Sequence, residues 1–185
     1  AQLGSQSING YTYSWNPIIG LTDTTIADPL VSLTNPLIPN DTTEYIVLVT
    51  TIFGCTDQDS VKVVVNHLPA SDAGNDISFC SGDTGSIGAP TIAGYDYLWT
   101  PTDGISDSLA SDPSISLINT DTITDTLTYM VTTTVDSCST TDTVTVIVYP
   151  LPYVDAGTDA YICSGDTAQL GSQSINGYTY SWNPI

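Results

Sequence analysis

The sequence begins and ends with the same eighteen residues, and this duplication limits the folds that the chain can adopt. Residues 1–18 read AQLGSQSINGYTYSWNPI, and residues 168–185 repeat them without a change, so residues 1–167 form one long unit. Chance does not produce an identical string of this length, and long internal periods indicate tandem structural units. We therefore expect a window onto a longer repeating array. An artificial duplication at one end is the alternative interpretation.

A shorter and less regular period lies inside the long one. Trp15, Trp99 and Trp182 recur at nearly equal intervals, and Cys55 and Cys138 repeat the same spacing. Residues 1–18 share only seven letters with residues 85–102, so the two halves of the long unit have diverged while the whole unit has not. This contrast predicts a recently duplicated pair of related domains. The predicted boundaries are 1–69 for a domain whose N-terminal strand lies before residue 1, 70–152 for a complete domain, and 153–185 for the start of the next.

The pattern of apolar residues is that of β-strands. In residues 94–101, GYDYLWTP, three aromatic residues alternate with smaller ones on one face, Tyr95, Tyr97 and Trp99. Such a period of two is typical of a half-buried strand. Further runs rich in Val, Thr, Ile and Tyr occur at 44–53, 59–67, 126–135 and 142–150. Short strands separated by turns over about 80 residues predict an all-β protein built of tandem immunoglobulin-like β-sandwich domains, arranged as beads on a string.

The charge balance excludes several classes of partner. The chain has 20 Asp and Glu residues against a single basic residue of the Lys and Arg type, a formal net charge of −19. Binding to nucleic acid requires basic side chains that neutralise phosphates, so we expect no nucleic-acid partner. The sequence also lacks an apolar run of about 20 residues, the length of a membrane-spanning helix, so we expect no membrane insertion.

The sequence offers no catalytic constellation. His67, the single histidine, lies in a predicted linker beside Leu68 and Pro69, and Lys62 lies on a predicted strand. A nucleophilic triad requires a positioned base next to the nucleophile, and no such pair can be assigned. We therefore predict that the protein is not an enzyme and has no catalytic residues.

The four cysteines predict a disulfide framework. Four cysteines allow three pairings, and Cys80 and Cys138 flank the complete domain. The repeat therefore predicts a Cys80–Cys138 pair, with Cys55 and Cys163 paired to cysteines of adjoining repeats. Metal binding is the rival interpretation, although no Cys-x-x-Cys motif or histidine cluster supports it. Disulfides would place the protein outside the cytoplasm.

Two acidic loops follow the predicted linkers. Asp-Ala-Gly-x-Asp occurs at 72–76 and at 155–159. Carboxylates around a glycine could hold Ca²⁺, which prefers several oxygen ligands on a flexible loop. The candidate ligands are Asp72, Asp76, Asp155 and Asp159. The favoured interpretation is simpler: Asp and Gly form the turn with which each domain begins, and no cofactor is expected.

A set of motifs covers nearly the whole chain. They include Asp-Ala-Gly-x-Asp, Cys-Ser-Gly-Asp-Thr at 80–84 and 163–167, and Gly-Tyr-x-Tyr-x-Trp-x-Pro at 10–17 and 94–101. Together they resemble the immunoglobulin-like, PKD-related repeats of very large Bacteroidota surface proteins, including gliding-motility adhesins exported by the type IX system. The resemblance implies a non-catalytic stalk or fibre at the cell surface.

The resemblance also directs attention to Asp-Ser and Asp-Thr pairs. Followed by a small apolar residue or Thr, such pairs look like the O-glycosylation signal of exported Bacteroidota proteins, in which a sugar is attached to the hydroxyl group. The candidate acceptors are Thr24, Thr42, Ser60, Ser108, Thr122, Thr126, Thr143 and Thr167.

Three functions remain open at the level of sequence. The leading hypothesis is a structural repeat of an extracellular filament or adhesin stalk, whose partners are neighbouring repeats of the same chain and parallel fibres. The second is a polysaccharide-binding module that contacts surface glycans through exposed Tyr and Trp. The third is an accessory domain of a secreted hydrolase. Alternation of Tyr95, Tyr97 and Trp99, as in a core, favours the first over the second.

Overall fold

The N-terminal part of the protein forms a three-stranded antiparallel sheet. The computed structural model describes residues 1–36 and 39–183. Its first strands are β1 (Thr12–Asn16), β2 (Asp41–Thr50) and β3 (Thr56–Val65), in the order β1-β2-β3. The opposite face is closed by short bridges, Gln2 with Leu30 and Leu21 with Val31. We call this unit the first sandwich.

The second sandwich contains two sheets that face each other across one core. A four-stranded sheet has the order β4-β9-β8-β6, and a two-stranded sheet pairs β5 with β7. In this order β8 is antiparallel to β6 and β9, whereas β4 is parallel to β9. The strands are β4 (Ile77–Cys80), β5 (Thr84–Ser86), β6 (Asp96–Thr100), β7 (Ser114–Ser116), β8 (Asp125–Val135) and β9 (Cys138–Tyr149).

The two sandwiches bury the same pair of aromatic residues in the same way. Trp99 and Tyr129 have no exposed surface, and the Trp99 indole N–H donates to the carbonyl of Ala110 at 2.9 Å. The Tyr129 hydroxyl donates to the carbonyl of Asp103 at 2.7 Å. Burial with a satisfied polar end is the favourable state of Trp and Tyr. In the first sandwich, Trp15 and Tyr45 repeat both bonds, to the carbonyls of Ile26 and Ile19.

The protein is therefore all-β, with tandem immunoglobulin-like β-sandwiches. No helix occurs in residues 1–36 and 39–183, and the described part of the C-terminal segment from residue 151 onwards contains no strand. The expected strands at 94–101, 126–135 and 142–150 correspond to β6, β8 and β9, within a few residues at each end.

The two cores are filled to different extents. Val144, Val146 and Val148 on β9 are buried, each at most 1% exposed. Their counterparts on β3 are less covered, and Val61, which matches Val144, is 37% exposed. In the second sandwich β4 lies against β9, whereas β3 is the outer strand of its sheet. The first sandwich thus exposes an apolar surface whose equivalent in the second sandwich is buried.

Candidate functional site: a groove in the first sandwich and the junction with the second

The uncovered surface of the first sandwich is a groove of about 530 Å³. Trp15, Val61 and Asp59 are among the residues that line it. Gly4 also lines it, where a Cβ would meet the carbonyl oxygen of Ala27 at 2.0 Å. The remaining lining residues are Ser5, Tyr13, Ala27, Val47, Val49 and Ser60.

In the second sandwich a backbone segment fills the corresponding groove. Ala73 lies there with no exposed surface, its carbonyl accepting the Gly88 N–H at 2.8 Å. The Ala73 N–H donates to the Asp142 carboxylate at 2.9 Å, and the Ser71 hydroxyl lies 3.0 Å from that of Thr133. The segment is therefore held by hydrogen bonds on both sides as well as by burial.

The two grooves share three residues that define them. Gly4 corresponds to Gly88 and Trp15 to Trp99, and Asp59 corresponds to Asp142. In the filled groove, the amides of Ala73 and then Thr143 stabilise the Asp142 carboxylate, which lowers its pKa below the ordinary value. The open groove offers Asp59 at the same place, so its chemistry suits an extended backbone with a small side chain.

A polar junction joins the two sandwiches. His67 is buried there, with one ring nitrogen 3.1 Å from the Asn40 side-chain oxygen and the other 3.2 Å from the Tyr95 hydroxyl. The Asn66 side chain donates to the carbonyl of Asp136, at the tip of the β8–β9 hairpin, at 3.2 Å. The loop of the second sandwich therefore touches the end of the first.

Sequence reasoning missed this junction. It treated His67 as a lone residue in a linker, whereas the structure brings Asn40 and Tyr95 to its ring from positions 27 and 28 residues away. No local sequence motif predicts such a contact, because the partners come from two different sandwiches. The linker itself is also anchored, since the Thr140 hydroxyl donates to the carbonyl of Pro69 at 2.7 Å.

The acidic loops act as turns in the structure. Asp72 accepts the N–H of Gly74 at 2.9 Å, and Asp155 accepts that of Gly157 at 2.8 Å. Asp76 instead accepts the N–H of Thr145 on β9. These bonds fit the turn interpretation of the Asp-Ala-Gly-x-Asp motif. Within the described residues, Asp72, Asp76, Asp155 and Asp159 join no group of three metal-binding side chains.

The predicted Cys80–Cys138 disulfide is wrong for this fold. Cys80 ends β4 beside Tyr149, at the last position of β9, whereas Cys138 is the first residue of β9. The length of β9 separates these positions by about 37 Å, and a disulfide needs Cα atoms within about 7 Å. Both thiols are free, as are those of Cys55 and Cys163. The sequence separation could not reveal that β4 runs parallel to β9.

The candidate glycosylation hydroxyls lie at or near the surface. Two of the eight, Thr24 and Ser108, are half-buried, and the other six are exposed. The exposed residues are Thr42, Ser60, Thr122, Thr126, Thr143 and Thr167. Glycosylation of these hydroxyls stays a prediction.

The described residues also contain no helix long and apolar enough to cross a membrane.

Comparisons with known proteins give fold-level similarity. No family model and no curated protein matches the sequence. Among solved structures, the chain is similar to extracellular domains 3–5 of Drosophila OTK, with a TM-score of 0.44 and 14% identity over 80% of this chain. The chain spans 55% of that structure, about half of its length.

Two further solved structures show a similar level of likeness. Human protocadherin-24 EC1-2 has a TM-score of 0.36 and 14% identity, covering 80% of this chain and 85% of that one. The titin I-band fragment I67–I69 has a TM-score of 0.36 and 10% identity, covering 80% of this chain and 59% of that one.

Proposed function

We propose that the chain is a structural repeat of a long extracellular filament or adhesin stalk and has no catalytic role. In this array, each sandwich is completed by the segment that follows the Leu-Pro linker of the sandwich before it. The observation that carries the proposal is the filled groove of the second sandwich. Residues 71–74 fill it in the second sandwich, and the first sandwich offers the same groove to a segment of the same kind.

The chain supplies a segment that matches this groove. Residues 153–159, YVDAGTD, repeat the register of residues 70–76, and Ala156 takes the position of buried Ala73. The Ala156 carbonyl accepts the N–H of Gly171 at 2.9 Å, as that of Ala73 accepts the N–H of Gly88, so the segment already lies against the second copy of residues 1–18. Because the long period joins this segment to a further copy of residues 1–18, each unit carries the piece that completes the next.

The junction supports a stiff array over a flexible one. Asn40 and Asn66 donate hydrogen bonds to Asp136 of the second sandwich, and His67 shares one with Tyr95. The linkers contain Pro69, Pro150 and Pro152. Proline restricts the backbone and stiffens linkers. The net charge of −19 repels parallel fibres from one another, except where divalent cations bridge them.

The resemblance to Bacteroidota surface repeats supports placing the filament at the cell surface. A single Lys or Arg in 185 residues leaves almost no site for trypsin-like proteases, which suits exposure outside the cell. The two tryptophans of the folded sandwiches, Trp15 and Trp99, are buried, so they do not provide a face for stacking on a polysaccharide.

Completion of the groove in a chain of two units tests the proposal. When residue 185 continues with residues 19–185, we expect residues 153–159 to fill the groove of the sandwich that follows, so that the Lys62 amide of the second copy is protected from hydrogen exchange, as its counterpart Thr145 is held by Asp76. Ala156→Arg should abolish this protection, because the counterpart of Ala156 has no exposed surface. Thr158→Arg is the control, since its counterpart Asn75 is exposed.

Two results would contradict the proposal. The first is a Lys62 amide that exchanges as fast in the second copy as in the first, and the second is equal protection in the Ala156→Arg and Thr158→Arg variants. Electron microscopy of the natural protein provides an independent measurement. We expect a regular beaded thread with two beads for each long unit, and isolated two-bead particles would exclude a filament.

A further inference from the structure

The cysteines lie at the two opposite ends of each sandwich. We define the entry pole of the second sandwich as the end that faces the first, and the exit pole as the end at which β9 leads into Pro150. Cys80 lies at the exit pole beside Tyr149, because β4 is parallel to β9. Cys138 lies at the entry pole, just after Asp136, which accepts a hydrogen bond from the first sandwich.

The repeat places the missing partner of Cys138 at the same junction. We call the cysteine that follows the linker of a sandwich its first-strand cysteine; in the second sandwich this is Cys80, which lies beside Tyr149. Asn66 is the counterpart of Tyr149 in the shorter period, so the first-strand cysteine of the first sandwich belongs beside Asn66. Asn66 itself donates to the carbonyl of Asp136 at 3.2 Å. A cysteine at the exit pole of one sandwich and the hairpin cysteine at the entry pole of the next therefore converge on the same few residues.

We propose that disulfides link consecutive sandwiches, and this rests on the array proposed above. Each first-strand cysteine, Cys80 or Cys163, pairs with the cysteine in the long hairpin of the following sandwich, Cys55 or Cys138. Cys80 pairs with Cys55 of the next long unit, and Cys163 pairs with Cys138 of the next unit. Every cysteine in the array then has a partner, although none of these pairs lies within a single sandwich.

Exposed apolar residues at the exit pole of the second sandwich and at the hairpin tip of the first support this pairing. At the exit pole, Ile118 and Ile123 are 71% and 72% exposed, and Ile118 lies next to Gly82 in the loop after Cys80. At the tip of the β2–β3 hairpin, Ile52 and Phe53 are 72% and 84% exposed, shortly before Cys55. The array brings these two apolar surfaces together, so the junction at Cys80 is apolar where the junction at His67 is polar.

The oxidation is an ordinary thiol–disulfide exchange. A thiolate of the pair attacks a disulfide oxidant, either a small disulfide or a dithiol oxidoreductase in its oxidised form, and a mixed disulfide results. The second thiolate displaces the oxidant, which leaves as a dithiol or two thiols after gaining two electrons. The two cysteines lose two protons and form one S–S bond. Cys55 and Cys80 are exposed and thus open to the oxidant.

A chain of two units tests the pairing. Continuing residue 185 with residues 19–185 gives a complete second unit and one complete apolar junction. Cys55→Ser in the first copy and Cys80→Ser in the second leave one Cys80 and one Cys55, on the two sides of that junction. After oxidation by a glutathione disulfide buffer and isolation of the monomer, digestion without reductant by an Asp-specific protease gives peptides for mass spectrometry.

The expected result is a Cys80 peptide linked to the second-copy Cys55 peptide and lost on reduction. A Cys80 peptide linked to Cys138, or a thiol at Cys80 that stays free after oxidation, would overturn the proposal. The array itself is tested separately, by protection of the Lys62 amide from hydrogen exchange in the second copy, since the amide of its counterpart Thr145 donates to Asp76 in the filled groove. Protection with a free Cys80 would refute the disulfide and leave the array standing, whereas loss of protection would refute the array.

Discussion

Gly88 is the residue at which the filled groove leaves least space for a side chain. Its φ is +85°, and a Cβ there would lie 2.0 Å from the carbonyl oxygen of Ser111. Gly94 has a similar φ of +83° but open space around it. We expect Gly94→Ala to cost about 1 kcal/mol, because alanine is strained in the left-handed region. Gly88→Ala adds a backbone clash and should cost at least about 3 kcal/mol.

Urea unfolding followed by circular dichroism measures both glycine variants. Gly94→Ala is the control that carries the same backbone strain without the clash. Equal losses of stability in the two variants would mean that the backbone at Ser111 moves away from the added Cβ at no cost.

Asp142 links the filling of the groove to pH. The amides of Ala73 and Thr143 lower the pKa of its carboxyl group below 3.8 in the folded state. A lowered folded pKa adds stability that is complete above the unfolded value and is lost as the pH falls through the folded value. Asp142→Asn should therefore destabilise the protein at pH 7 and at pH 5, and the difference from the wild type should shrink below about pH 4.

Urea midpoints of the wild type and Asp142→Asn at four pH values from 7 to 2.5 give this difference. Other carboxylates titrate equally in both proteins, so their effects cancel when the two are subtracted. A difference that is constant over the whole range would show that the charge of Asp142 does not hold the Ala73 amide.

At the residue scale, sequence reasoning found the core but not the contacts between sandwiches. The alternation in residues 94–101 correctly pointed Tyr97 and Trp99 towards the core, because a strand with one buried face has a period of two. Tyr95, expected on the same face, is half-buried and instead lies against His67 at the junction. The burial of His67 depends on two side chains brought together by the packing of separate sandwiches. Such a contact leaves no periodic signal in the sequence.

At the element scale, the long hairpins could be predicted and the short strands could not. The β2–β3 and β8–β9 pairs are rich in β-branched residues and joined by short loops. Strands β4, β5 and β7 have only three or four residues each, too few to show a period. The missed parallel pairing of β4 with β9 is what made the cysteine prediction wrong, since it fixes the pole at which Cys80 lies.

The matched valines of β3 and β9 give a prediction at the same scale. Val144 is 1% exposed, so Val144→Ala should destabilise the protein by about 2 kcal/mol. Val61 faces the open groove at 37% exposure, so Val61→Ala should cost less than about 1 kcal/mol. In the second copy of the two-unit chain, where residues 153–159 can fill the groove, the two costs should become equal.

Denaturant unfolding measures these costs for Val61→Ala and Val144→Ala, each in the 185-residue chain and in the second copy of the two-unit chain. Val64→Ala is the control on the other face of β3. Val64 is 57% exposed and alternates away from the groove, so its substitution should have the same small effect in both chain lengths. A Val61→Ala cost that does not change between the chain lengths would argue against completion of the groove by the preceding segment.

At the scale of the whole molecule, the proposed disulfides would turn the array into two parallel covalent paths. The interval from Cys55 to Cys80 has the same length as the interval from Cys138 to Cys163. Each interval runs along β3 or β9, through the linker and into the next sandwich, where Cys80 ends β4. If Cys80 is bonded to Cys55 of the next unit, these intervals join end to end. The second path, through Cys163 and Cys138, runs beside the first.

This arrangement predicts a filament that hardly lengthens under tension. Each long unit could extend to about 600 Å when reduced, whereas the interval between bridges allows only about 90 Å when oxidised. The intervals consist largely of extended strand, so little slack remains for force to draw out. In single-molecule pulling of a multi-unit array, we expect stepwise unfolding of sandwiches only after a reductant is added.

Two independent paths make the cysteine variants informative. Cys80→Ser in every unit breaks one path and should leave the oxidised array as inextensible as before, because Cys163 and Cys138 still carry the tension. Cys80→Ser combined with Cys163→Ser breaks both paths and should restore stepwise unfolding without a reductant. If Cys80→Ser alone already restored full extension, the cysteines would form one path rather than two. Unfolding steps of equal length in the oxidised and reduced wild type would show that no bridge crosses the junctions at all.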